Sequence, residues 1–73
     1  MKLARVIRTG VLWVITDPYS IVNAPPVCTI VQYKRFFSSG YDVYSSGINV
    51  YFPGVQGCAS MSPDLFDWYF EPL

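Results

Sequence analysis

Histidine is missing from this 73-residue chain. That absence removes the commonest general base and metal ligand, and with it every Ser-His and Cys-His nucleophilic arrangement. The two cysteines, Cys28 and Cys58, are far apart in sequence and, without histidine, cannot make a zinc site of ordinary spacing. Two cysteines allow one disulfide, but nothing else signals secretion, so reduced and mostly buried thiols are expected. Gly54-Val55-Gln56-Gly57 lacks both the lysine and the strand–loop–helix setting of a phosphate loop. Asp64 and Asp67 stand three apart, and helix capping and solvation explain them better than a catalytic carboxylate pair. The expectation is a protein without cofactor or metal that is not an enzyme.

Charge is also scarce, at 14% of residues against about 25% in ordinary domains. Hydrophobic residues make up 52% and aromatic residues 18%, with no net charge. A chain this short buries roughly 60% of its unfolded surface, so apolar groups are expected to remain outside and to mark a partner site or a self-association surface. Long hydrophobic runs are lacking as well. The longest, residues 11–15, is far below the roughly 20 residues of a membrane helix. It is also shorter than the ~7–15-residue core of a signal peptide, despite Lys2, Arg5 and Arg8 ahead of it. A single cytoplasmic domain spanning 1–73 is expected.

Basic residues vanish after Arg35. Five bases and one acid in residues 1–40 leave +4, while four acids and no base in residues 41–73 leave −4. Either the two halves pair within one fold, or the surface is bipolar and meets two partner patches. In the first case Lys34 and Arg35 serve to hold or orient the acidic tail.

What is present reads as short strands. Residues 2–8 alternate imperfectly with bases on both faces, as in an edge strand, and Thr9-Gly10 bends the chain. Residues 11–16 form a strand with Leu12 and Val14 facing away from Val11, Trp13 and Ile15. With residues 2–8 it makes one long bent strand or a tight hairpin. Asp17-Pro18-Tyr19-Ser20 is a turn, and Pro25-Pro26 keeps the following segment out of a sheet, giving a loop of about ten residues. Residues 27–37 form the best central strand, paired with residues 11–16 and with a following hairpin. That hairpin joins residues 41–44 and 48–52 through Ser45-Ser46-Gly47, with Ile48, Val50 and Phe52 on one face and Asn49 and Tyr51 on the other. Pro53-Gly54 turns the chain, and residues 55–59 add a short strand. Ser62 as N-cap, Pro63 at the first position and Asp64 in the first turn start a helix of about two turns, with Leu65, Phe66, Tyr69 and Phe70 at helical spacing. The fold class is mostly β (α+β): a small antiparallel sheet or open barrel of four to five strands with one short C-terminal helix.

Two kinds of binding remain. Tyr33, Lys34, Arg35 and Phe36 interleave bases with rings, as in a platform for single-stranded nucleic acid. They lack the glycines of the RNA-recognition strand motif, and the balanced charge opposes tight phosphate binding. Protein binding fits the composition better. Phe66, Trp68 and Tyr69 crowd a two-turn helix that has no room to bury all its rings, and Trp68 is the one left over. Arg5, Arg8 and Trp13 form a second patch at the other end of the chain. A small structural subunit of a larger assembly is a third possibility.

A basic N-terminal strand, Met1-Lys2-Leu3-Ala4-Arg5-Val6-Ile7-Arg8, a proline-held loop, aromatic hairpins and an acidic aromatic tail occur together on a very short chain. Over its whole length this resembles the small phage-encoded transcription regulators that bind host RNA polymerase, of the kind found in lytic Xanthomonas phages. The resemblance implies binding to the large polymerase subunits near the RNA exit region, impaired sigma-dependent initiation and readthrough of terminators. No individual site residue follows from it, and Arg5, Arg8, Trp13, Phe66, Trp68 and Tyr69 rest on composition alone.

Overall fold

A computed structural model describes residues 1–39 and 44–73. Its elements are β1 (Lys2–Val6), β2 (Leu12–Ile15), β3 (Ser20–Asn23), β4 (Ile30–Ser39), β5 (Tyr44–Tyr51), β6 (Ala59–Met61), α1 (Pro63–Tyr69) and β7 (Phe70–Pro72). The protein is mostly β with one short C-terminal helix, as the sequence predicts, but the described residues form seven strands rather than four or five. Five form an antiparallel sheet in the order β6-β5-β4-β1-β7, and β2 and β3 form a hairpin of their own. A bridge joins the two sheets: the Thr16 amide donates to the Cys58 carbonyl at 3.0 Å, and the Cys58 amide to the Thr16 carbonyl at 3.1 Å.

β4 is the central strand, as expected, although it begins at Ile30. The preceding residues turn, with Cys28 at a φ of 78°. One neighbour is β5, paired from Gln32↔Tyr51 to Ser39↔Tyr44. The other is β1, through Lys2↔Tyr33 and Ala4↔Val31, and not residues 11–16. Nor do β1 and β2 make one bent strand or a hairpin, because they lie in different sheets. β1 is no edge strand either: Ala4, Arg5 and Val6 pair with Pro72, Glu71 and Phe70. Bases on both faces of residues 2–8 reflect a sheet with one face open to water, where Arg5 finds Glu71, and not a free edge.

In place of the expected ten-residue loop stands the β2–β3 hairpin, with the turn that the sequence predicts at residues 17–19. Trp13 and Ile15 point inward while Leu12 and Val14 point out, as the alternation requires. Ser45-Ser46-Gly47 is not a hairpin loop. These residues continue β5 opposite Ser38, Phe37 and Phe36. Gly47 is tolerated in the strand because the Phe36 ring lies across it, where a Cβ would meet that ring's Cζ at 2.3 Å. The strand expected over residues 41–44 lies almost wholly outside the described residues. The one expected over 55–59 starts later, at Ala59, after Gly57 turns the chain with a φ of 85°.

Ile48, Val50 and Phe52 face a core that also holds Ala4, Val6, Val31, Tyr33, Ala59 and Met61. Trp13 and Ile15 close it from the hairpin, and Phe66 and Phe70 from the C-terminal segment. Ring centroids of Phe66 lie 4.7 Å from Tyr33 and 5.3 Å from Phe70. The helix starts as predicted: Ser62 Oγ accepts from the Leu65 amide at 3.2 Å, with Pro63 and Asp64 in the first turn. It stops one residue early. Phe70 is extended, at φ −135° and ψ 153°, and opens β7 while its amide still donates to the Phe66 carbonyl.

Candidate functional site

β7 pairs with β1, so the two chain ends meet and the two patches expected to be separate become neighbours. Beyond β1, the Ile7 amide donates to the Tyr69 carbonyl at 3.0 Å. This brings Arg8 over the last turn of α1. Arg8 Nε donates to the Trp68 carbonyl at 2.9 Å, and its guanidinium carbon stands 3.9 Å from the Trp68 ring centroid. The helix has no basic residue in its own last turn, so Arg8, two residues past the end of β1, supplies the cation that its exposed carbonyls favour. Trp68 is 57% exposed, the ring of the helix that the core leaves over, as the sequence predicts.

The other proposed partner contacts divide sharply. Arg5 lies on the open sheet face, half-exposed, with its Nη2 3.0 Å from Glu71 Oε1. Tyr69 is half-buried and meets Trp13 edge-on at 5.2 Å. Trp13, 8% exposed, and Phe66, fully buried, are core residues and not contact residues. Composition alone cannot separate them from Trp68. The burial of Trp13 depends on a hairpin partner, β3, whose local sequence predicts a loop.

The nucleic-acid platform is not assembled as expected. Tyr33 is buried against Phe66 and Phe36 lies half-buried across Gly47, so the two rings, on opposite faces of β4, do not make one stacking surface. Lys34 and Arg35 are exposed, and with Lys2 and Tyr33 they line an open groove of about 330 Å³. Among the described residues the tail is held by Arg5 and Arg8, not by Lys34 and Arg35.

Two further surfaces lie outside the patches that the sequence predicts. Leu12, Val14 and Ile21 form an uncharged outer face on the β2–β3 hairpin, with Tyr19 exposed at its turn. Phe37, on β4 two residues past Arg35, is 81% exposed, the most of any large apolar side chain among the described residues. Both cysteines are free, but neither is buried: Cys28 is exposed and Cys58 half-buried. Among the described residues no three potential metal ligands cluster, and no helix is long and apolar enough to cross a membrane. No protein-family model, curated protein or solved structure matches the chain.

Proposed function

We propose that the protein is a non-enzymatic regulator that binds another protein, docking on a large host complex through the surface built by Arg8 and Trp68. The observation that carries this reading is Trp68 itself, exposed on the helix and held in place by a guanidinium that both stacks on its ring and bonds its carbonyl. A large amphipathic ring fixed before binding loses little conformational freedom on contact, which is why tryptophan and arginine recur at binding hot spots. Leu65, partly exposed on the same short helix, extends the apolar part of the surface, and Asp64 and Asp67 give it an acidic rim.

The resemblance to small phage regulators names the partner in this proposal: bacterial RNA polymerase in the host cytoplasm, with inhibited initiation, antitermination or both as the outcome. The test is affinity capture from a bacterial lysate with the wild-type protein and with Trp68→Ala, both checked for folding by circular dichroism. The large polymerase subunits should be retained by the wild type and largely lost with the variant. A folded wild-type bait that retains neither subunit refutes the assignment.

A further inference from the structure

β4 is longer than the strand beside it. Its pairing with β1 ends at Lys2↔Tyr33, yet β4 runs on to Ser39. From Lys34 onward no strand among the described residues lies on that side, whereas the other side stays paired with β5.

The register identifies the free groups. The Val6 amide donates to the Thr29 carbonyl, while the Ile7 amide donates to Tyr69 and the Leu3 carbonyl accepts from the Leu73 amide. Even-numbered residues of β1 therefore turn their backbone groups to β4 and odd-numbered ones turn theirs to β7. Because antiparallel pairs alternate between bonded and non-bonded positions, Ala4–Val31 and Lys2–Tyr33 are the bonded pairs. Carried two and four residues along β4, the same alternation leaves the N–H and C=O of Arg35 and Phe37 aimed at the open side. An edge with evenly spaced unpaired donors and acceptors is a template for one more strand.

We propose that this edge binds an extended acidic segment of a partner protein, added as a strand in line with β1. The chemistry around the edge selects the occupant. Lys2, Lys34 and Arg35 border the groove at the point where β1 begins. A residue placed opposite Arg35 falls on the face shared by Arg35, Tyr33 and Lys2, so a carboxylate there has two cations within reach. An apolar residue two positions along falls beside Phe37. A second copy of this chain is the weaker occupant, because its β4 edge carries the same two bases and no carboxylate to meet them. A single-stranded nucleic acid does not offer the alternating donors and acceptors that Arg35 and Phe37 require. The inference is independent of the Arg8–Trp68 surface, which lies about 20 Å away beyond the other end of β1.

The probe is a fluorescein-labelled hexapeptide alternating valine and glutamate, followed by anisotropy at low and moderate salt. It should bind about tenfold more tightly than the same peptide with lysine for glutamate, the worth of two exposed ion pairs. The double variant Lys2→Glu/Arg35→Glu should reverse that order. Amide hydrogen exchange at Arg35 and Phe37 should slow when the glutamate peptide is bound. Equal affinity for the two peptides, unchanged exchange at both amides, or tighter binding of a deoxythymidine decamer than of the peptide overturns the proposal. Dimerisation that protects Arg35 and Phe37 without peptide also overturns it and assigns the edge to a second copy.

Discussion

Removing Arg8 should expose how firmly Trp68 is held. Arg8→Ala deletes a hydrogen bond to the Trp68 carbonyl at 2.9 Å and a cation–ring contact at 3.9 Å. The hydrogen bond contributes about 0.5–1.5 kcal/mol, and the ring contact at an exposed site about 0.5–1 kcal/mol. The expected loss is therefore about 1–2.5 kcal/mol, a fall in Tm of about 4–20 °C for a domain of this length. The two contributions separate cleanly, because the carbonyl is main chain and survives in Trp68→Ala. In that background Arg8→Ala should cost only the hydrogen-bond share, leaving a coupling of about 0.5–1 kcal/mol in the double-mutant cycle. Arg8→Lys keeps the charge at the helix end but not the planar face, and should restore about half of the loss. Urea denaturation followed by far-ultraviolet circular dichroism suits the series, since one tryptophan is itself varied. A cycle that closes to within about 0.3 kcal/mol refutes the idea that Arg8 fixes the ring.

Phe66→Ala should remove about 3–5 kcal/mol, most of the stability of so short a domain, and abolish a cooperative thermal transition; a sharp transition near the wild-type Tm contradicts its place in the core. Gly57→Ala puts a Cβ 2.3 Å from the Thr16 carbonyl oxygen on a backbone with φ of 85°. It should cost about 3 kcal/mol or more in urea denaturation by breaking the bridge between the sheets. Val14→Lys, on the uncharged hairpin face, should leave stability within about 0.5 kcal/mol while lowering concentration-dependent association in sedimentation velocity. A loss above about 1 kcal/mol there places Val14 in a buried contact.

Local chemistry was readable wherever a pattern lies within a few residues. The alternation of Leu12, Trp13, Val14 and Ile15, the inward face of Ile48, Val50 and Phe52, and the Ser62-Pro63-Asp64 helix start all take the predicted form. Each depends on a period or a cap whose parts are neighbours in sequence. The misreadings share a different cause. Phe70 stands four residues after Phe66 and continues the helical spacing, yet pairing with Val6, sixty-four residues earlier, draws it into a strand. Ile21-Val22 is too short to announce a strand, but β2 supplies a partner and makes it one. Ser45-Ser46-Gly47 has turn composition, and the Phe36 ring from the opposite strand compensates for the missing side chain of Gly47. Cross-strand partners outweigh local propensity in all three.

By itself, then, the sequence determined the class of this protein: a small β-rich chain with a capped C-terminal helix, more rings than a core of its size can hold, and opposite charges in its two halves. It also pointed to Trp68 as the ring of the helix left outside, because that residue falls off the face shared by Phe66 and the core. Only the tertiary structure decided that Arg8 would stand over Trp68, that Trp13 and Phe66 would disappear into the core, and that β4 would outrun β1 and leave Arg35 and Phe37 at an open edge. The reason is register. Which strands become neighbours, and how far each extends past the next, follows from contacts between distant residues that satisfy the backbone and fill one core together, and no short window of sequence contains both partners.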